Sequence, residues 1–130
     1  MTQDLNSLSH AIIGAAIEVH QGIGPGLLES AYRKCLAKVL RDKGFQVQEE
    51  VILPLRFQGV VIDENAYRID LIVNDLIIVE VKAVETMKPL FSRQTLTYLK
   101  LTGRQLGLLI NFNVGILKEG IIRVVNNFEE

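Results

Sequence analysis

The chain has 130 residues and a mass of 14.6 kDa, which suits one domain with a real core at roughly 100–200 residues per domain. A hydrophobic share of 48% and a charged share of 22% exclude extensive disorder. Fourteen Lys and Arg against fifteen Asp and Glu leave a net charge of −1, which excludes a generally polybasic nucleic-acid binder but not a local basic groove.

Cys35 is the single cysteine, so an internal disulfide and Cys-based zinc sites are excluded. The opening MTQDLNSLSH lacks the basic-then-apolar order of a signal peptide. The longest apolar runs, such as 76–79 and 107–110, fall far short of the roughly 20 residues that span a bilayer. The expectation is a cytoplasmic single domain spanning 1–130, away from membranes, with 1–6 and 126–130 loose.

The first periodic segment is 7–20, where Leu8, Ala11, Ile12, Ala15, Ala16 and Val19 recur at helical spacing behind Asn6 or Ser7 as cap. QGIGPG, 21–26, breaks it. A second helix is expected from about Leu27 to Lys43, with Leu28, Ala31, Cys35 or Leu36, and Val39 as its apolar stripe and Gly44 as its stop. The period then changes to two. Residues 45–55 and 56–62 are expected as strands, with Pro54 and Gly59 marking a bend or edge. Residues 67–73 and 76–84 are the strongest strand signals, separated by Asn74-Asp75. Helical character returns over 88–102, with Leu90 or Phe91, Gln94, Tyr98 and Leu101 along one side and Gly103 as terminator. Residues 105–112 suit a buried central strand, and 116–117 with 120–125 a last short hairpin. The predicted class is α/β, with helices on both sides of one mixed sheet.

Asp70, Glu80 and Lys82 interrupt otherwise apolar strands, and such residues are almost never buried unless paired or metal-bound. A two-residue turn at Asn74-Asp75 would pair Asp70 with Val79 and mix both faces. A three-residue connection including Leu76, or a bulge, pairs Asp70 with Glu80. It also leaves Ile69, Leu71, Val73, Ile77, Val79 and Val81 as one apolar face, so the odd length is favoured. Two adjacent carboxylates repel, a repulsion that a divalent cation relieves. Oxygen ligands suit Mg²⁺ or Mn²⁺, and a nearby Lys can orient or help deprotonate a metal-bound water and stabilise an attacked phosphate. The competing explanation is an exposed sheet face carrying a Glu–Lys ion pair.

The segment Gly26-Leu-Leu-Glu29-Ser-Ala-Tyr32 resembles the signature of the GxxExxY family of small bacterial proteins. The likeness continues through IIGAAIEVHQGIGPGLLESAY, YRIDLIVNDLIIVEVKAVE and RQTLTYLKLTGRQLGLLINF. That family is assigned to the PD-(D/E)XK nuclease-like superfamily. The resemblance implies a restriction-endonuclease-like core of helix, three-strand meander, helix and strand, here with an extra N-terminal helix. It implies Asp70 and Glu80 as metal ligands, with the Val81 carbonyl completing the site, and Lys82 as the catalytic lysine. Glu29 matches an acidic residue that points into many such sites. Gln94 and Tyr98 resemble a Gln-x-x-x-Tyr element that could contact substrate. Ile69 stands where the motif has proline. The implied activity is Mg²⁺- or Mn²⁺-dependent hydrolysis of phosphodiesters, with DNA ahead of RNA on superfamily grounds alone. A homodimer would suit the cutting of two strands.

Tyr32 shares the Glu29 face, as either a packed ring or a substrate contact. His20 is expected at a helix end near the favourable dipole, QGIGPG as a corner aiming Glu29 at the sheet, and Cys35 as buried and inert. Lys88, Arg93, Lys100 and Arg104 form a stripe that could hold a nucleic-acid backbone, although a solvated helix face is the commoner explanation. The rival to an enzyme is a catalytically silent nuclease-fold module that binds nucleic acid or a protein partner.

Overall fold

Asp4, rather than Asn6 or Ser7, caps the first helix in the computed structural model, which describes residues 4–128. Its Oδ1 accepts from the Asn6 N–H at 3.0 Å and its Oδ2 from the Ser7 hydroxyl at 2.9 Å, the bonding that a helix start requires. Helix α1 (Leu5–Ile23) therefore begins earlier than the apolar period indicates. It also runs into QGIGPG and stops only at Gly24, whose left-handed φ of 69° ends it. Its buried stripe of Leu8, Ile12, Ala15, Ala16 and Val19 is the expected one.

Helix α2 (Glu29–Asp42) has a stripe rotated from the expected one. Tyr32, Leu36, Ala37 and Leu40 are buried, Leu28 lies outside the helix as a fully presented N-cap residue, and Cys35 is only half-buried. The 32-36-40 row carries the tyrosine ring and two leucines, a larger apolar area than the row beginning at Leu28 offers.

The sheet has five strands in the order β1-β2-β3-β4-β5: β1 (Val47–Phe57), β2 (Val60–Val73), β3 (Ile77–Lys82), β4 (Leu106–Asn111) and β5 (Ile121–Val125). Neighbours are antiparallel except β3 and β4, which are parallel and joined through α3 (Pro89–Thr102). The segment 56–62 is no separate strand: the chain turns at Gln58-Gly59, both at positive φ, and the two long strands form one hairpin. Pro54 sits on the edge strand at a register shift between Leu53 and Leu55, where its missing N–H costs little. The expected hairpin of 116–117 with 120–125 is also corrected. Leu117–Gly120 is a 3₁₀ turn, and β5 pairs with β4.

Two expectations about the ends change as well. Residues 4–6 are held by the α1 cap, and Asn126 is held by bonds to Gln105 and Arg104 while Phe128 packs on the core. The remainder of the expected loose ends, 1–3 and 129–130, lies outside the described residues.

The β2–β3 register is Val73↔Ile77, Ile72↔Ile78 and Leu71↔Val79, the odd-length connection through Asn74-Asp75-Leu76. Leu71, Val73, Ile77, Val79 and Val81, with Leu106, Leu108 and Ile110 of β4, form the large core beneath α1 and α2. Ile72 and Ile78 face Tyr98 and Leu99 of α3 in a smaller one.

Ile69 departs from the expected face, because it belongs to the smaller core. The cause is local. Glu50, which the β1–β2 register of Glu49↔Leu71 and Val51↔Ile69 sets at the level of Asp70, has φ 52°, and both strands roll over there. Val47 packs on the large core, whereas Val51 and Leu53 pack on the small one. The alternation of faces thus breaks at one level in two strands, and Asp70 is at that level.

Candidate active site

The β2–β3 ladder ends at Leu71↔Val79, and side chains continue it. The Asp70 N–H donates to Glu80 Oε2 at 2.8 Å, and the Val81 N–H donates to Asp70 Oδ2 at 2.8 Å. Each carboxylate thereby reaches across to the other strand's backbone, which fixes both side chains. Glu80 is only 5% exposed and Asp70 is half-buried. Burial, and then the charge of Asp70, push the Glu80 carboxyl up to about 8. Burial also raises Asp70, against the opposing Val81 N–H bond and the charges of Lys82 and Arg68. The pair is short of positive charge, and this is the electrostatic condition that favours a cation.

Lys82 supplies part of that charge from the next outward position on β3. Its Nζ stands 4.4 Å above the centroid of the Phe91 ring in α3, so a cation–π contact holds the ammonium. The exit of β3 is pinned by the buried Asn111, whose Oδ1 accepts from the Val84 N–H at 3.1 Å and whose Nδ2 donates to the Val84 carbonyl at 2.9 Å.

Glu29 opens α2 and is exposed, and with Ser30, Arg33, Glu50, Arg68 and Asp70 it lines a cavity of about 60 Å³. Its charge adds to the upward pressure on Asp70. The corner before it is fastened by Tyr32, whose hydroxyl donates to the Gly24 carbonyl at 2.6 Å and accepts from the Leu27 N–H at 3.1 Å. That ring is fully buried and stacked on Phe112 at 4.6 Å. Tyr32 therefore anchors the corner rather than offering surface to a substrate.

A family model described as the PD-(D/E)XK nuclease superfamily matches residues 6–124. The chain belongs to that superfamily. No curated protein and no solved structure matches it.

Asp70, Glu80 and Lys82 stand at the end of the β2–β3 ladder, and Glu29 borders the same cavity as Asp70. Among the described residues no group of three or more His, Cys, Asp or Glu side chains is placed to hold a metal. The donors that meet are the Asp70–Glu80 pair. Gln94 is exposed on α3, whereas Tyr98 is 4% exposed and packed edge-on to Tyr67 at 6.0 Å. Burial first, then the charges of Glu80 and Asp70, push the Tyr98 hydroxyl up to about 12. Tyr98 thus borders the carboxylates from the α3 side of the sheet.

The basic stripe is shorter than expected. The Arg104 guanidinium is paired with the Asp75 carboxylate and bonds the Asp75 carbonyl, bracing the β2–β3 turn. Lys88, Arg93 and Lys100 remain exposed, within a stretch, 86–118, that contains no Asp or Glu. His20 is buried, with Nε2 2.8 Å from the Val114 carbonyl, and Cys35 packs half-buried against the large core.

Sequence reasoning missed Arg33, Glu49, Glu50, Arg68, Phe91 and Asn111. Arg33 is buried and bridges Glu49 at 2.6 Å and Glu50 at 3.5 Å. Its place one helical turn after Glu29 was the available signal. Strand parity puts Arg68 on the face of Asp70, two residues on, with which it pairs; Glu49, Glu50, Phe91 and Asn111 meet partners farther away in the chain.

Proposed function

We propose that this chain is a metal-dependent nuclease of the GxxExxY group that hydrolyses phosphodiester bonds, DNA in preference to RNA. The observation that supports it best is the buried Asp70–Glu80 pair, locked by bonds to the Val81 and Asp70 N–H groups with Lys82 beside it. Two carboxylates suffice for Mg²⁺ or Mn²⁺, which retain waters and need only one or two. Asp70, Glu80 and the Val81 carbonyl would hold the ion, with Glu29 supporting it or a water. When bound, the ion supplies Lewis-acid polarisation of the phosphoryl oxygen and a more acidic water. Lys82 would orient the attacking water and place positive charge beside the phosphorus. The water oxygen forms the new P–O bond, the bridging P–O bond breaks, and the water's proton ends on the departing alkoxide. The single domain, a cytoplasmic setting and a homodimer for two-strand cutting belong to the same proposal. It is compatible with them that no helix among the described residues is long and apolar enough to cross a membrane.

The test is calorimetric titration with Mn²⁺, with Glu80→Ala as control, followed by hydrolysis assays on duplex, single-stranded and branched substrates. Saturable binding lost in the variant, with metal-dependent cleavage, is the expected result. Absence of binding at millimolar Mn²⁺ together with absence of cleavage overturns it. The second reading, a silent module binding nucleic acid or protein, is favoured by the net charge of −1, and binding without cleavage would establish it.

A further inference from the structure

Five non-glycine residues among those described have positive φ. Gln58, Asn74 and Asp75 are in turns and Asn127 follows β5, but Glu50 at 52° lies inside β1. The left-handed region disfavours side chains other than those of glycine, asparagine and aspartate. A glutamate there requires compensation from its surroundings.

The compensation visible is ionic. Glu50 Oε1 lies 3.5 Å from Arg33 Nη2 and 3.2 Å from Arg68 Nη1. Arg33 is buried and rooted in α2, so it offers a fixed anchor, but the Glu50–Arg68 pair is about half exposed on both sides. Pairs that are this wet contribute little to stability, and stability alone does not account for a strained glutamate in a strand. Strain of this kind collects where a group must be held in one place for function.

What Glu50 holds in place is the Arg68 guanidinium. Its Nη2 stands 3.9 Å from Asp70 Oδ1, too long for a hydrogen bond, and the side chain is 56% exposed. The guanidinium is thus held by its Glu50 bond and its longer ion pair with Asp70, yet it is more than half exposed at the mouth of the cavity, where a planar cationic fork faces solvent beside the carboxylates. Such a fork matches the paired non-bridging oxygens of a phosphodiester.

We propose that Arg68 binds a backbone phosphate of the nucleic-acid strand next to Asp70, and that Glu50 is the positioning residue that aims it. This rests on the nuclease reading for the identity of the ligand.

The test uses the full chain and fluorescence anisotropy of a labelled single-stranded oligodeoxynucleotide and its duplex over a salt series, with hydrolysis measured separately. Arg68→Gln is expected to weaken binding roughly tenfold and to reduce the slope of log affinity against log salt by about 0.7 to 0.9, one phosphate's worth. Arg68→Lys restores the slope, because the charge is kept, but only part of the affinity, because the fork is lost. Glu50→Gly is the decisive variant. Glycine relieves the backbone, so its melting temperature equals or exceeds that of the parent while its affinity falls toward that of Arg68→Gln.

An unchanged salt slope in Arg68→Gln overturns the assignment. So does a Glu50→Gly chain that binds like the parent, or one that loses stability along with affinity, which would mark Glu50 as merely structural. Binding with the expected slope change but no hydrolysis by the parent leaves Arg68 in place and removes the nuclease reading. No binding of either probe by the parent overturns both.

Discussion

Replacing Glu80 by glutamine should stabilise the metal-free protein, and by an amount that depends on pH. The amide oxygen can still accept the Asp70 N–H, so the substitution removes the charge while keeping the bond. Below about pH 4.5 the Glu80 carboxyl is neutral in folded and unfolded chains alike and carries no penalty. Between 4.5 and about 8 the folded chain keeps a proton that the unfolded chain releases, so stability falls as pH rises. Above about 8 it is ionised in both states and the full cost is present. At roughly 1.4 kcal/mol per pH unit, the interval from 4.5 to about 8 amounts to at most about 5 kcal/mol. Native domains typically hold only about 5–15 kcal/mol, so the effect should dominate the pH profile.

Urea denaturation followed by circular dichroism at about pH 5, 7 and 8.5 measures it. The parent should lose stability across that series, while Glu80→Gln should lose much less, matching the parent near pH 5 and exceeding it by several kcal/mol at 8.5. Mn²⁺ should recover about 2.7 kcal/mol for the parent at a hundredfold excess over its dissociation constant, and far less for the variant. A parent profile that is flat from pH 5 to 8.5, or a variant no more stable than the parent at 8.5, would refute the electrostatic reasoning.

Tyr32→Phe should destabilise the protein by about 1–2 kcal/mol, because the Leu27 N–H and Gly24 carbonyl lose their partner; faster amide exchange at 24–29 than at the β4 core would locate the damage at the corner before Glu29. Phe91→Leu should leave the melting temperature nearly unchanged but lower cleavage rates several-fold by releasing Lys82, with Phe91→Tyr retaining the rate. Equal rates in all three chains would dismiss the contact. Gly120→Ala should cost about 3 kcal/mol or prevent folding, since its Cβ would fall on the Asn111 carbonyl oxygen; a denaturation midpoint within error of the parent's would contradict that packing.

The apolar stripe of α1 and the Gly103 stop of α3 at φ 68° were legible from the sequence, but the expected side of α3 was not: Leu90, Gln94 and Leu101 are exposed, and Thr95, Tyr98 and Leu99 are buried. The boundaries were less legible, because Asp4 caps α1 through side-chain bonds that periodicity does not register. The expected strands 45–55 and 56–62 fall short of the long hairpin, which turns at Gln58-Gly59; the edge reading of Pro54 holds, because an edge strand tolerates its missing N–H. The register joining Asp70 to the level of Glu80 followed from the demand that one face be apolar. The same parity argument misplaced Ile69, since nothing in a glutamate announces a left-handed strand residue at Glu50.

By itself the sequence determined what is local or periodic: the α/β class, the odd-length β2–β3 connection, and the superfamily motif with its carboxylates and lysine on neighbouring strands. Tertiary structure alone decided how those groups are held. The left-handed Glu50, the buried Arg33 bridge, Lys82 over Phe91, and Tyr32 turned inward to fasten the loop before Glu29 all depend on elements far apart in the chain. The physical reason is that spacing along a strand or helix fixes which residues share a face. What burial and charge do at that face depends on which other segments fold against it.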